Sequence, residues 1–367
     1  MNSKSLRTLI GYTIFSAAVL LLPLLIDDAY TLNKFSRYLI LGLATLGLSL
    51  AWGYTGILNL GHAAFFGLGA YCMAMYLKLQ TVPVHTGTGG LPDFMVWNNV
   101  EQLPWFWEPF HWSYLAITAG IGIPVLLAVM LGWFVFRARI AGVFVAIITL
   151  AMLVIINLLL IDQQRYTGGF NGITDLAWLT IGGIEFDPYS KTFYYLSAGS
   201  LVVCLLGTGI FTHTKAGLIL QAIRNDPDRV RFLGYDVSAY QILAFALSAG
   251  IAGLAGMLYA MVLEFASPTF VGVSLSLSMV IWCAVGGRGS LLAATLGAIL
   301  VNAAQGSLSE NFLETWQLIL GGFFVLIVLF LPKGLISIGE LIRWRRKRTD
   351  RVQVQVLSST KRARGIS

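Results

Sequence analysis

Charged residues are scarce in this 367-residue chain. They make up 11% of it, whereas hydrophobic residues make up 57%. Soluble domains carry about 25% charged and about 45–50% apolar residues. A chain with so few charges cannot cover a water-facing surface with polar groups, which excludes a soluble globular protein, and its hydrophobicity excludes intrinsic disorder. The composition therefore predicts an integral membrane protein.

Motifs that carry catalysis or hold a cofactor are missing from the sequence. The three cysteines, Cys72, Cys204 and Cys283, lie far apart without any metal-ligand spacing, so we interpret them as apolar packing residues. No GxSxG, HExxH or GxxxxGK[ST] pattern occurs, and those patterns mark serine hydrolases, zinc proteases and P-loop nucleotide sites. We predict a transport protein that is not an enzyme, with no catalytic residues, no metal site and no cofactor.

Charges are also absent from the interiors of five apolar runs, at 113–136, 141–161, 192–212, 239–263 and 290–308. Carriers driven by protons or sodium place ionisable groups inside the membrane. Their absence leaves a passive pathway, which is either a channel or a permease that draws its energy from another subunit.

The apolar runs predict an all-α membrane protein with about ten transmembrane helices. Lys and Arg concentrate in alternate connections, so the positive-inside rule places both termini in the cytoplasm. We interpret the first run as a retained helix, because no good signal-peptide cleavage site follows it. The predicted spans are 7–26, 38–53, 58–77, 113–136, 141–161, 192–212, 239–263, 272–287, 290–308 and 314–332.

The net charge of +7 is confined to the C-terminal tail. Residues 338–367 hold nine Lys or Arg and two acids, and the rest of the chain is neutral. This divides the chain into a transmembrane permease domain, 1–337, and a basic cytoplasmic tail, 338–367. We interpret the tail as an anchor on anionic lipid headgroups. The rest of the chain has no net positive charge, which argues against nucleic-acid binding.

Two long connections are predicted on the outer side, at 78–112 and 162–191. The first is rich in aromatic residues, among them Trp97, Trp105 and Trp107. An aromatic belt at the membrane interface and a docking surface for an external protein both fit this pattern.

The cytoplasmic segment 215–236 contains the start and stop signals of a short helix over 227–233. Asp226 suits the N-cap, Pro227 the first helical position and Gly234 the position after the C-cap. One interpretation is a connector lying on lipid headgroups. The other is a coupling helix that enters a groove on a cytoplasmic motor, with Phe232 and Leu233 as knobs and the arginines as orienting groups.

Several motifs resemble permeases of ABC importers for branched-chain amino acids, and they extend over nearly the whole chain in the expected order. Within that family, the aromatic first outer loop, RFLGY at 231–235 and IWCAVGGRG at 281–289 look most like the urea permease subunit. The family motifs are WGYTGILNLGH at 52–62, GGFNGIT at 168–174, AIRNDPDRVRFLGY at 222–235, LAFALSAGIAGLAG at 243–256, GGRG at 286–289 and LPKG at 331–334.

The resemblance implies a complex in a bacterial inner membrane. Its other members would be a homologous second permease, two cytoplasmic ATPases and a periplasmic solute-binding protein. The resemblance also favours coupling to the ATPase by the 215–236 segment, where the candidate residues are Arg224, Asp226, Pro227, Arg229, Arg231, Phe232, Leu233 and Gly234.

A pathway for a small neutral solute such as urea needs amides, hydroxyls and backbone carbonyls, which broken helices supply. The segment Gly53–His62 is the best candidate for such a break, because it combines three glycines with polar side chains. A hydrogen bond between helices is the alternative role for each polar residue taken alone. The path candidates are Gly53, Gly56, Asn59, His62, Thr149, Asn157, Trp282 and Asn302.

We therefore predict the permease subunit of an ATP-driven importer that forms the path for urea. A permease for branched-chain amino acids or short amides is the nearest alternative. A facilitative urea channel is the alternative of another class, although a channel has no use for a docking helix. Gly250, Gly253 and Gly256, spaced three apart, predict a close helix crossing.

Overall fold

The computed structural model describes residues 3–81 and 90–312, together with residues 315, 318, 321, 322 and 334. Within this part the chain is mostly helical, as predicted. Short 3₁₀ turns lie at Leu22–Leu24, Glu108–His111 and Pro268–Val271. The helices are α1 (Ser3–Leu21), α2 (Ala29–Thr55), α3 (His62–Thr81), α4 (Asp93–Trp97), α5 (Ser113–Arg137), α6 (Val143–Asp162), α7 (Gln164–Thr167), α8 (Lys191–His213), α9 (Lys215–Asn225), α10 (Pro227–Phe232), α11 (Val237–Leu263), α12 (Val273–Gly286) and α13 (Leu291–Asn311).

Six of the described helices are long and apolar enough to cross a membrane, namely α2, α5, α6, α8, α11 and α13. Two shorter apolar helices cover Ile10–Leu24 and Val273–Gly286. The count of ten spans and the cytoplasmic position of both termini stay predictions. The predicted span 314–332 lies almost entirely outside the described residues, and the tail 338–367 lies wholly outside them.

Helix α2 begins nine residues before the predicted start of its span at 38. Asp28 caps it, because its carboxylate accepts a hydrogen bond from the backbone N–H of Thr31 at 2.9 Å. Lys34 therefore lies in the second turn of a continuous helix and pairs with Glu310 of α13.

The core is built around α2 and α11. Both have 27 residues, and most of the residues of each are buried. Glycines of α11 bring neighbouring backbones into contact: a Cβ on Gly253 would lie 2.4 Å from the carbonyl oxygen of Gly120, and one on Gly256 would lie 1.7 Å from that of Phe66. The predicted close crossing is confirmed, and it involves both α5 and α3.

The aromatic outer connection divides into a buried and an exposed part. Trp107 is fully buried, and its indole N–H donates to the carbonyl of Tyr166 at 3.2 Å. Trp97 and Trp105 are exposed. The second outer connection carries a small antiparallel hairpin, β1 (Leu179–Ile181) with β2 (Ile184–Phe186). The first connection is therefore partly core, and only its exposed aromatics remain free to meet lipid or another protein.

Candidate functional site

Helix α10 forms as its sequence predicts. The Asp226 carboxylate accepts hydrogen bonds from the backbone N–H groups of Asp228 and Arg229 at 3.2 and 3.1 Å, and Pro227 is the first helical residue. Gly234 closes the helix with a φ of +87°, which glycine adopts without strain. Its N–H bonds to the carbonyl of Arg231, and the next N–H bonds to Val230, which is a Schellman ending. The helix ends at Phe232, one residue earlier than predicted.

Helix α10 packs one apolar residue against α9 and leaves two others, at its C-terminal end, exposed. Val230 is buried against Leu220 and Ile223 of α9. By contrast, Phe232 is 91% exposed and Leu233 is 75% exposed. Two adjacent large apolar side chains that are exposed in the isolated chain gain free energy when a partner or a lipid surface buries them.

The arginines of α10 form ion pairs within the same short segment. Arg229 pairs with Asp226 at 2.8 Å, and Arg231 pairs with Asp228 at 2.6 Å. These pairs support the two-turn helix, which is too short to be stable alone. The orienting role proposed for them stays a prediction.

The predicted break lies between α2 and α3, over residues 56–61. His62, the first residue of α3, places its Nε2 atom 3.0 Å from the carbonyl oxygen of Ala44. Ala44 precedes the end of α2 by eleven residues, which is about 16 Å along a helix. Residues 56–61 therefore run back beside α2 without helical structure, and α3 starts level with the middle of α2. We name this segment the inner break.

Polar side chains from two other helices hold the inner break. Thr149 of α6 accepts the N–H of Leu60 at 3.2 Å, and Ser276 of α12 donates to the carbonyl of Leu60 at 2.6 Å. Asn59 accepts the N–H of Gly61 at 2.9 Å. These bonds satisfy irregular backbone in a segment where Ile57, Asn59 and Gly61 are buried from solvent.

A second break covers residues 264–272 between α11 and α12, in the connection between the predicted spans 239–263 and 272–287. We name it the outer break. Ile173 and Ala266 exchange backbone hydrogen bonds of 2.8 and 2.9 Å, and Asn157 donates to the carbonyl of Pro268 at 2.6 Å. Because Ser276 in the first turn of α12 bonds Leu60, the N-terminal ends of α3 and α12 meet.

The polar path candidates have partners inside the protein. Asn59, His62 and Thr149 are fully buried and hold the inner break, while Asn157 holds the outer one. Asn302 bonds the carbonyl of Ala298 within α13, and the buried Trp282 lies in α12. The structure therefore brings most of these residues to the two breaks as framework, with Trp282 and Asn302 on the neighbouring helices.

One contact joins the two groups of predicted site residues. Arg224, at the end of α9, donates from Nη1 to the carbonyl oxygen of Gly53, and a Cβ on Gly56 would lie 3.5 Å from its Cγ. Sequence reasoning placed Arg224 with the docking residues and Gly53 with the path. The two are 171 positions apart, and no local pattern signals their contact.

A polar cavity of about 490 Å³ lies on the side of the molecule where the outer connections gather. Its lining includes Asp93, Asn98, Gln164 and Asn171. Asp93 pairs at 3.0 Å with the buried Lys78, which also donates to the carbonyl of Thr174. This pair ties α3 to the two outer connections.

A family profile described as "Branched-chain amino acid transport system / permease component" matches residues 30–329. The chain belongs to this family. It is a multi-pass membrane permease of the ABC transporter type and a non-catalytic transport subunit, as predicted.

Curated relatives carry the same description. The high-affinity branched-chain amino acid transport system permease protein LivM of Escherichia coli K12 is 32% identical over 327 residues, covering 82% of this chain and 67% of that protein. LivM of Salmonella typhimurium is 31% identical over the same extent. The permease protein LivH of Salmonella typhimurium is 21% identical, covering 82% of this chain and 92% of LivH. No solved structure matches the chain.

Proposed function

We propose that this chain forms one half of the path of an ATP-driven importer, and that its substrates are branched-chain amino acids. The LivM relatives, named for branched-chain amino acid transport, support this substrate class over the urea predicted from the sequence. Urea keeps the support of two short motifs, 231–235 and 281–289, and is the competing outcome in the test below.

The observation that carries the proposal is the exposed apolar tip of α10. A facilitative channel has no use for a capped two-turn helix that holds Phe232 and Leu233 in water. A groove on a cytoplasmic ATPase would bury both side chains. LivM and LivH are both named as permeases of such transport systems, which supports a second permease beside this one, two ATPases and an external solute-binding protein.

The two breaks are the candidate walls of the path. Their backbone groups bond side chains of α6 and α12. A neutral or zwitterionic solute can pass such a wall without an ionisable side chain, since backbone carbonyls and N–H groups supply hydrogen bonds.

Replacing Phe232 tests the docking role. We expect Phe232→Asp to lose copurification of the ATPases and to abolish uptake, because a carboxylate would enter an apolar groove. Gly234→Pro should act in the same way by removing the N–H that closes α10. Phe170→Asp changes an exposed aromatic on the outer side and should leave ATPase copurification intact. Normal uptake in both α10 variants, with the protein inserted in the membrane, would refute the docking role.

Substrate choice is tested in proteoliposomes containing the whole importer. ATP hydrolysis is measured with the solute-binding protein loaded with leucine, loaded with urea, or empty. We expect stimulation by the leucine-loaded protein. Stimulation by the urea-loaded form alone would assign urea as the substrate and leave the importer mechanism standing.

A further inference from the structure

We propose that Arg224 is a positioning residue that transmits movement of α10 to the inner break through its hydrogen bond to Gly53. This inference rests on the function proposed above, because it assumes that α10 docks an ATPase. It gives Arg224 a role beyond docking, because its guanidinium bonds the C-terminal end of α2.

The carbonyl of Gly53 is an orphan at the end of α2. In a continuous helix it would accept the N–H of residue 57, but the N–H of Ile57 instead approaches the hydroxyl of Thr55 at 3.4 Å. Arg224 supplies the missing donor. A cation at the carboxyl end of a helix also suits the helix dipole. The bond therefore has a specific acceptor, created by the break itself.

The end of α2 is held from a second direction. The turn after α12 places the guanidinium of Arg288 over the ring of Trp52, with 5.2 Å to the centroid. A Cβ on Gly53 would lie 2.0 Å from the carbonyl oxygen of Arg288. The last turn of α2 is therefore enclosed between α9 and this turn, so a displacement of α9 acts on it directly.

Helices α9 and α10 are packed as one unit. Leu220 and Ile223 of α9, Val230 of α10 and Val237 of α11 form a small buried cluster separate from the main core. The backbone N–H of Asp226 bonds the carbonyl of Ala222, so no flexible residue separates the two helices. A displacement of the exposed end of α10 is therefore transmitted to Arg224 through this cluster of packed side chains.

Arg224 also differs from the arginines of α10 in its partner. Among the described residues, Arg229 and Arg231 have carboxylate partners within α10 or its cap, while the hydrogen bond of Arg224 is to the backbone of α2. Of these three arginines, only Arg224 connects the packed helices α9 and α10 to the end of α2, next to the inner break.

The test measures the inner break in the purified importer with its ATPases. The chain carries Leu58→Cys as a probe within the break, with Cys72, Cys204 and Cys283 replaced by alanine. Labelling by a maleimide is compared in nucleotide-free and ATP-vanadate-trapped complex. We expect at least a threefold difference in rate with Arg224 present. Arg224→Met should bring the ratio close to one and lower uptake at least tenfold while the ATPases still copurify. Arg224→Lys, which keeps a donor, should restore part of both.

Lys215→Met is the matched control, since it removes an exposed cation from the other end of α9. It should leave both the labelling ratio and uptake as they were. Three results would overturn the inference: an equal ratio in the Arg224→Met and parent complexes, no nucleotide dependence at position 58 in the parent complex, or loss of the ATPases in Arg224→Met. If the parent chain itself fails to copurify with an ATPase, the proposed function is wrong, and this outcome is distinct from the other three.

Discussion

The inner and outer breaks follow the two longest described helices, α2 and α11, but are held by different contacts. The inner break follows α2 and is fixed mainly by side chains, with Thr149 and Ser276 bonding Leu60. The outer break follows α11 and is also fixed by backbone, through the exchange between Ile173 and Ala266. Two long-range side-chain bonds add to it: Asn157 donates to the carbonyl of Pro268, and the indole N–H of Trp178 donates to the carboxylate of Glu264.

The difference matches what lies beside each break. Helix α9, which is packed with α10, contacts the end of α2 next to the inner break. The outer break is bonded to residues 168–174, where the GGFNGIT motif and the polar cavity lie. Each break thus adjoins the surface of one proposed partner, the ATPase in one case and the solute-binding protein in the other. Ser276, in the first turn of α12 after the outer break, bonds Leu60 of the inner break and so links the two regions.

The largest effect is expected where the inner break touches a helix backbone. A Cβ on Gly61 would lie 2.1 Å from the carbonyl oxygen of Thr149. We expect Gly61→Ala to force the break away from α6 and to lower uptake below a tenth of the parent value. The monodisperse fraction in detergent and uptake are measured together. Gly122→Ala in α5, where no atom lies within 4 Å, is the control and should behave like the parent chain. Parent-like uptake in Gly61→Ala would show that the break is not held in this position.

A smaller effect separates the side chains that hold the two breaks. Thr149→Val removes the acceptor of the Leu60 N–H at a fully buried side chain, at a cost of about 1–3 kcal/mol. Asn157→Leu replaces a half-buried side chain and unpairs the carbonyl of Pro268, and it should cost less because proteins tolerate an unpaired carbonyl better than an unpaired N–H. The midpoint of thermal unfolding in detergent, with and without the rest of the importer, compares the two variants. Equal or reversed shifts would contradict the view that side chains matter more to the inner break.

The smallest effect concerns α10, which is connected to the inner break through α9. Asp226→Ala removes two hydrogen bonds at the start of α10 and should weaken that helix by about 1 kcal/mol. Hydrogen exchange of the amides at 230–233 measures this local opening directly. Asp228→Ala breaks only the exposed pair with Arg231 and is expected to change exchange by a few tenths of a kcal/mol. A larger change in Asp228→Ala would mean that the ion pair, and not the cap, supports α10.

Local sequence signals predicted the elements that depend on local chemistry. The Asp226 cap, Pro227 and Gly234 defined α10 within one residue, and the glycines of 53–61 located the inner break. The apolar runs located most of the helices because their composition has to match the bilayer.

Features that depend on distant contacts were not visible in the sequence. The outer break resembled a surface loop, since Glu264 follows α11 and charged residues usually mark the membrane boundary. The contact of Arg224 with Gly53 depends on the packing of α9 against the end of α2, which brings together two residues that are 171 positions apart. Asn59, His62 and Thr149 stay predicted path residues: they bond the inner break, and a polar side chain that satisfies backbone has the same sequence pattern as one that meets a solute.

The glycine crossings of α11 have a mechanical consequence. Gly253 contacts the backbone of α5, Gly256 contacts that of α3, and Gly69 of α3 packs against Gly253 in return. These contacts bring backbone against backbone, where a change of side-chain rotamer cannot make room for sliding, and close-packed interiors deform little. Helices α3, α5 and α11 therefore behave as a rigid block. The hinge of any opening motion falls at the two irregular segments that border this block.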